Sequence, residues 1–283
     1  MRKLLTALGA AALLSLAGLS AQAQEKTIKL GTMVWEDMMP ISLVTKHVLE
    51  TKGYTVEMTQ FSEWGIAYAA LTRGDVEVMT SQIDYVAQDY WDRNKNRLEK
   101  ISIVSNGLYQ GLAVPSYVNI DSVEQLTENA DMLGGRIVGI EPGAGLMRET
   151  ADAVEKYDIG MTLVEGSTAA MTAALQSAVQ RQEPIVVTLW TPTWMFEKFE
   201  MKFLADPQGV FAPPQSYNLI ARNGFSTEKP EAREILSGIF MPIADVAAIN
   251  SAVADGQTME AATQAWIDAH GELISRWGNI KDY

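Results

Sequence analysis

Three tryptophans of this chain lie beside polar or turn residues at the ends of predicted strands. Trp35 follows the first strand in the segment VWED, Trp64 stands in FSEWG between a strand and a helix, and Trp190 ends the strand VVTLW. Aromatic rings arranged around a cavity attract a quaternary ammonium ion through the ring quadrupole, by about 2 kcal/mol or more once water is excluded. These positions favour an aromatic cage for a methylated amine. The alternative is that each indole ring packs in the hydrophobic core.

The other four tryptophans lie within helical spacing of apolar residues, and we predict that they are core residues. They are Trp91, Trp194, Trp266 and Trp277.

A glycine-containing turn, IEPGAGL from Ile140 to Leu146, joins a predicted strand to a predicted helix. Glycines at Gly143 and Gly145 would let a ligand approach backbone N–H groups at the positive end of the helix, which suits a carboxylate or an N-oxide oxygen. A tight turn explains the glycines equally well. Glu141 and Glu36 either add negative charge near a bound cation or face solvent as ordinary turn residues.

Metal and nucleophile chemistry has little support in the sequence. The two histidines, His47 and His270, fall on predicted helices with no cysteine, histidine or carboxylate at ligand spacing. The nucleophile, zinc-protease, phosphate-loop and dinucleotide motifs are also missing from the sequence. We therefore predict a binding protein without metal or cofactor, and not an enzyme.

The elements that must position these residues alternate between strands and helices in two successive series. Strand segments are predicted at 27–34, 54–58, 76–79, 101–104, 110–115, 136–140, 161–164 and 185–189, and helices at 40–52, 66–73, 85–94, 146–156 and 169–180. Such alternation predicts two α/β lobes, each with a parallel-rich sheet covered by helices. Ligands of open α/β sheets bind outside the carboxyl ends of the strands, where the tryptophans and the glycine turn lie.

Composition and charge indicate which partners are excluded and in which compartment the protein is found. The 283 residues carry a formal net charge of −13 and include no cysteine. Strong acidity argues against nucleic acid and anionic lipid, which both require positive charge on the protein. Residues 1–23 begin with two cations, continue with a short apolar run and end in AQA, which predicts a secretory signal peptide. No later stretch is apolar for long enough to cross a membrane, so we expect a protein that is soluble in the periplasm after cleavage.

Several segments together resemble the glycine betaine/choline-type (OpuAC/ProX-like) substrate-binding proteins of ABC importers, a group that includes binders of trimethylamine N-oxide. The resemblance covers nearly the whole chain after residue 23 and is most specific in GIEPGAGLM (139–147), EPIVVTLWTPTWMF (183–196) and WIDAH (266–270). It implies an α/β fold of the type II, two-lobed, hinged periplasmic binding protein, with the ligand cleft between the lobes. The implied division is a discontinuous first lobe, 24–110 with 215–283, and a second lobe, 111–214.

The resemblance also implies site residues. Trp190 matches a cage tryptophan, Trp35 matches the aromatic residue after the first strand, and the turn Gly143-Ala144-Gly145 matches a loop that faces the ligand.

Two departures from the family pattern concern the ligand. Gln82 stands where many relatives have a tryptophan, and Asn218 stands where many have a histidine close to the ligand carboxylate. Trp64 could restore the missing cage wall, with Tyr217 as a further side. The absence of the histidine makes trimethylamine N-oxide or choline more plausible as the ligand relative to glycine betaine. The sequence alone does not rank these three ligands.

The sequence therefore predicts a monomeric periplasmic binding protein that captures a small methylated-amine osmolyte and delivers it to the permease of an ABC importer. The predicted ligand-binding residues are Trp35, Glu36, Trp64, Gln82, Glu141, Gly143, Ala144, Trp190 and Tyr217. One alternative is a binding protein for an amino acid or another small anion, with Arg148 as the candidate clamp. A less favoured alternative is an enzyme that acts on methylated amines.

Overall fold

The computed structural model describes residues 26–84 and 86–277. The predicted signal peptide, 1–23, and Tyr85, the first residue of the third predicted helix, lie outside the described residues.

The described residues form nine strands and eleven α-helices, which alternate over much of the chain and end in a run of helices, and this confirms the predicted α/β class. The strands are β1 Thr27–Met33, β2 Thr55–Phe61, β3 Val78–Ser81, β4 Leu98–Pro115, β5 Arg136–Val138, β6 Thr162–Val164, β7 Val186–Thr191, β8 Met201–Phe203 and β9 Gln215–Arg222. The helices are α1 Met39–Thr51, α2 Trp64–Arg73, α3 Gln88–Asn94, α4 Gly145–Lys156, α5 Thr168–Arg181, α6 Met195–Lys198, α7 Phe225–Glu228, α8 Pro230–Ser237, α9 Ile243–Ala254, α10 Met259–Ala269 and α11 Gly271–Arg276. Two 3-10 turns lie at Lys95–Arg97 and Val123–Gln125.

The strands form two sheet regions that share β4. One region has the order β2-β1-β3-β9-β4, and the other continues as β4-β7-β5-β6, with β8 also paired to β4. Apolar residues of both sheets and of the helices that cover them form the buried core. Helix α1 illustrates the pattern, since Pro40 lies in its first turn and Ile41, Val44, Val48 and Leu49 are buried.

The prediction of a parallel-rich sheet is wrong for the central strands. Pairs β1·β2, β1·β3, β5·β6 and β5·β7 are parallel, but β4 and β9 pair antiparallel with each other and with β7, β8 and β3. Strand β9 was not predicted, and β4 was predicted as two separate segments. The polar stretch Ser105-Asn106-Gly107 interrupts the apolar pattern of β4, yet the strand continues through it because Ser105 and Asn106 pair with Tyr217 and Ser216 of β9.

Strand β4 changes its main partner in mid-course. Residues Leu98–Leu108 pair with β9, and Tyr109 starts the pairing with β7. The register with β9 shifts three times, and Gly107, beside the last shift, has a φ of 111°, a conformation that favours glycine. The position of this change supports the division into 24–110 with 215–283 and 111–214, which stays a proposal.

Among the described residues, the helices are all too short or too polar to span a lipid bilayer.

Candidate functional site

A cavity lies where the two sheet regions meet, with about 320 Å³ of space between atoms when the part open to solvent is included. Its walls come from the carboxyl ends of β1, β3, β5 and β7, from the middle of β4 and from the start of α4, as expected for an open α/β sheet. The lining residues are Trp35, Asp37, Gln82, Val86, Leu108, Gln110, Ile140, Ala144, Gly145, Leu146 and Trp190.

Two indole rings line this cavity from different sheets. Trp35 follows β1 and is 7% exposed, whereas Trp190 lies near the end of β7 and is 5% exposed. Neither Nε1 atom finds a hydrogen-bond partner within the part of the chain that the structure describes. Buried indole N–H groups usually find partners. The Nε1 atoms of Trp64 and Trp266, outside the lining, also have none among the described residues, so unpaired indoles are not confined to this cavity.

Trp64 lies behind Trp35 rather than in the cavity wall. The centroids of the two rings are 5.4 Å apart at an interplanar angle of 59°, and the Trp64 ring packs edge-on against Tyr68 at 6.2 Å. Trp64 is completely buried at the start of α2. In this arrangement its side chain fixes the position of the Trp35 ring.

Asp37 places a buried carboxylate in the cavity wall. Its Oδ2 atom accepts hydrogen bonds from the Tyr217 hydroxyl at 2.8 Å and from Gln82 Nε2 at 3.1 Å. Burial raises the pKa of Asp37 to about 6, and the Tyr217 and Gln82 hydrogen bonds act in the opposite direction. Of these three residues the sequence singled out Gln82 and Tyr217 but missed Asp37. The acidic pair after β1 was visible, but the sequence alone could not tell which carboxylate faces the cavity.

Glu36 is not among the lining residues, and its carboxylate contacts the segment that follows β7. Its Oε1 atom accepts a short hydrogen bond from the hydroxyl of Thr193, which follows β7. Burial raises the pKa of Glu36 to about 7, with a further increase from the neighbouring charge of Asp37. Glu36 therefore connects the two predicted lobes in this conformation.

The turn after β5 approaches the other side of the cleft closely. A Cβ atom at Gly145 would lie 2.5 Å from both the carbonyl oxygen and Cγ1 of Val86, so only glycine fits this contact. Ala144, Gly145 and Leu146 line the cavity, and Gly145 and Leu146 are the first residues of α4. The first N–H groups of a helix have no partner within the helix and favour negative charge.

The remaining predicted site residues lie outside the lining. Glu141 accepts hydrogen bonds from the backbone N–H of Thr168 at 3.0 Å and from its hydroxyl at 2.8 Å, at the first residue of α5. Gly143 faces the carboxylate of Glu63, which a Cβ atom would overlap.

Arg148, the candidate clamp for an anion, is engaged elsewhere. It donates to Asp89 Oδ1 at 3.2 Å and to the carbonyl oxygen of Val86 at 3.1 Å.

Other lining residues were not predicted as site residues, namely Val86, Leu108, Gln110, Ile140 and Leu146. Gln110 pairs in register with Trp190 across β4 and β7. Directly opposed residues of an antiparallel pair have their side chains on the same face, so this pairing places the amide beside the indole ring. Local sequence carries no signal of that register.

Comparisons with known proteins agree on one family. The profile of the substrate-binding domain of ABC-type glycine betaine transport systems matches residues 26–269. The glycine betaine/carnitine transport binding protein GbuC of Listeria monocytogenes is 40% identical over 144 residues, which are 50% of this chain and 48% of that protein. The match thus spans about half the length of that relative.

Two solved structures resemble the whole described fold. The crystal structure of lactococcal OpuAC, closed and complexed with glycine betaine, has a TM-score of 0.83 and 30% identity, covering 89% of this chain and 98% of that one. An ABC-transporter choline-binding protein in complex with choline has a TM-score of 0.81 and 25% identity, covering 89% of this chain and 91% of that one.

Proposed function

Since this chain belongs to the family of substrate-binding domains of ABC-type glycine betaine transport systems, we propose that it binds a small trimethylammonium-type solute in the cavity between its lobes. The family assignment confirms the predicted resemblance and the two-lobed binding-protein fold. Its members bind a substrate for a transporter, so the prediction of a binding protein and not an enzyme is also confirmed.

One observation carries the proposal. Trp35 and Trp190 approach a single cavity from two different sheets, and the carboxylate of Asp37 lies in the wall of the same cavity. Ring faces and a carboxylate both stabilise a cation that cannot donate hydrogen bonds, and their attraction grows when water is excluded. A trimethylammonium group is such a cation.

The opposite wall suits the polar end of the ligand. The first N–H groups of α4, at Gly145 and Leu146, favour an oxygen with negative charge, as in a carboxylate or an N-oxide. Asp37 favours a ligand with net positive charge, such as choline. Glycine betaine, choline and trimethylamine N-oxide each satisfy part of this arrangement, and all three are candidates.

The wider role that we propose is delivery of this solute to the permease of an ABC importer, by a monomer in the periplasm. The predicted signal peptide, 1–23, supports the compartment. Closure of two lobes over a ligand changes the surface that a permease contacts, which is how hinged binding proteins signal that they are loaded.

Calorimetric titration with glycine betaine, choline, carnitine, dimethylsulfoniopropionate and trimethylamine N-oxide tests the proposal. We expect saturable binding of at least one trimethylated solute, with a change in tryptophan fluorescence as the rings of Trp35 and Trp190 exchange water for a cation. Titration with an amino acid, added to this panel, tests the anion-binding alternative. Binding of that amino acid with no response to any methylated solute would overturn the proposal.

A neutral analogue separates charge recognition from shape. In 3,3-dimethylbutanol, carbon replaces the nitrogen of choline without changing the outline of the molecule. If choline binds, the loss of one to two cation–π contacts of about 2 kcal/mol should weaken the analogue by about tenfold to a thousandfold. Equal affinities would show that the cavity is merely apolar.

A further inference from the structure

A second buried carboxylate lies directly behind the polar wall of the cavity. Glu149 is on α4, four residues after Gly145, so the two residues share the face of the helix that packs on β4 and β7. It is buried, and its Oε1 atom accepts a hydrogen bond of 2.7 Å from Gln110 Nε2. Gln110 lines the cavity beside Trp190, whereas Glu149 does not. The carboxylate therefore reaches the cavity only through the amide.

An amide group presents different chemistry at its two ends. The oxygen accepts hydrogen bonds and the nitrogen donates them, so the end that Glu149 binds decides which end remains for the ligand. An ionised carboxylate only accepts, which holds Nε2 of Gln110 and leaves Oε1 for the cavity. A protonated carboxyl group can instead donate to Oε1, which turns the NH₂ group towards the cavity.

We propose that Glu149 is a positioning residue that sets, through the amide of Gln110, whether the polar end of the cavity offers the ligand a hydrogen-bond acceptor or a donor. This inference rests on the proposed function, because it ranks ligands that share a trimethylammonium group. The acceptor state favours a ligand with a hydroxyl group, such as choline. The donor state favours a carboxylate or an N-oxide.

The surroundings of Glu149 allow both charge states near neutrality. Burial raises its pKa to about 7, against the hydrogen bond from Gln110. The charge of Arg148 on the same helix lowers this pKa, and the charge of Asp152 raises it. Tyr109, next to Gln110 on β4, also interacts with the charge of Glu149. The preference for hydroxyl over carboxylate should therefore increase as the pH rises through neutrality.

The test compares dissociation constants of choline and glycine betaine by calorimetry from about pH 6 to about pH 8.5. Neither ligand changes its charge over this range. We expect the ratio of the glycine betaine Kd to the choline Kd to rise with pH by about two- to tenfold in the wild type, the worth of one hydrogen bond. The charge of Asp37 also contributes to this slope, so the decisive quantity is the difference between variants.

Two variants and one matched control isolate the amide. Glu149→Gln and Gln110→Leu should flatten the slope to the same extent, whereas Glu155→Gln, an exposed carboxylate on the same helix, should behave like the wild type. A slope that survives in Gln110→Leu but not in Glu149→Gln would show that Glu149 acts by its charge alone, and the proposal would fail. It would also fail if neither variant differed from the wild type.

If Glu149→Gln does not fold, a measurement on the wild type can still test the proposal. Binding linkage is reciprocal, so carboxyl ¹³C NMR should find a lower pKa for Glu149 in the choline complex than in the glycine betaine complex. Equal pKa values in the two complexes would overturn the inference. If neither ligand binds the wild type, the proposed function itself fails, which is a different result from binding of both at a pH-independent ratio.

Discussion

The charge of the buried Asp37 carboxylate affects stability and ligand binding in opposite directions. Two donors, Tyr217 and Gln82, satisfy part of its hydrogen-bonding capacity, yet burial still raises its pKa to about 6. A buried carboxylate in an empty cavity is costly to keep ionised. The same charge becomes favourable when a cation occupies the cavity.

Replacing Asp37 should therefore separate affinity from stability. Asp37→Asn keeps the size of the side chain and removes the charge, so we expect trimethylammonium affinity to fall by about tenfold or more, while the ligand-free protein is at least as stable near neutral pH. In the wild type, affinity should weaken as the pH falls through about 6, because protonation removes the charge. Calorimetry and thermal unfolding measure both effects. Asp75→Asn changes an exposed carboxylate of the same predicted lobe whose ion pair with Arg73 lies at the surface, so as the control it should leave affinity unchanged and stability nearly so.

The tryptophans should divide into those that bind and those that only stabilise. Trp35→Ala and Trp190→Ala remove rings from the cavity, and we expect most ligand affinity to be lost. Trp266 lies on α10 and stacks on His270 at 4.3 Å, far from the cavity lining. Trp266→Ala should lower the free energy of unfolding by about 3–5 kcal/mol with little effect on affinity. Thermal unfolding and titration of the same three variants give the answer, and normal binding by Trp190→Ala would refute the cage.

Individual elements could be predicted where the pattern is local. Strand β1 and helices α1, α4 and α5 begin and end within about two residues of the predicted bounds, because alternation and amphipathic spacing specify them directly. Strand β9 was not predicted, and β4 was predicted as two segments. In the structure these two strands pair with each other although more than a hundred residues separate them in sequence. Hydrogen-bond pairing at that distance leaves no periodic signal.

The same reasoning explains the candidate site. Strand ends and tryptophans placed Trp35 and Trp190 near a cleft, since the carboxyl ends of strands could be located from the sequence. Gln110 faces the cavity because of its register with Trp190, and Asp37 faces it because the chain turns after β1. Register and turn direction are set by tertiary contacts, so these two residues needed the structure.

The contact between the start of α4 and Val86, in the segment that joins β3 to α3, should control lobe closure. In Gly145→Ala the new methyl group would meet the carbonyl oxygen of Val86, a backbone atom with little freedom to move. We expect about tenfold or greater loss of affinity with a nearly unchanged unfolding temperature, because the lobes would fold but not meet fully. Gly160→Ala is the matched control, since its Cβ would make only an ordinary contact at 3.7 Å. Small-angle scattering with ligand would show whether Gly145→Ala stays open, and an unaffected Kd would contradict this role.

Over residues 26–84 and 86–277, three carboxyl groups with raised pKa values link stability to pH. The folded-state pKa values of Glu36 and Glu149 are about 7, and that of Asp37 is about 6, all above the values of an unfolded chain. The folded protein then holds more protons than the unfolded chain in this window, so the free energy of unfolding decreases as the pH rises from about 5 to about 7. Thermal unfolding of the ligand-free protein should show this decrease.

The double variant Glu36→Gln/Glu149→Gln should retain only the contribution of Asp37 to this slope. A wild-type profile that is flat between about pH 5 and about pH 7 would mean that the carboxyl groups are solvated, and it would contradict the burial that raises their pKa values.

If the two lobes close as proposed, the continuous strand β4 sets the geometry of that movement. The change of partners at Leu108 and Tyr109 adjoins Gln110 in the cavity wall, so a rotation about this point would have its pivot beside the ligand. Displacement grows with distance from a pivot. The rings near the ligand would travel a short way while the outer rims of both lobes travelled much further, and a solute of a few atoms could in this way produce a movement large enough for another protein to detect.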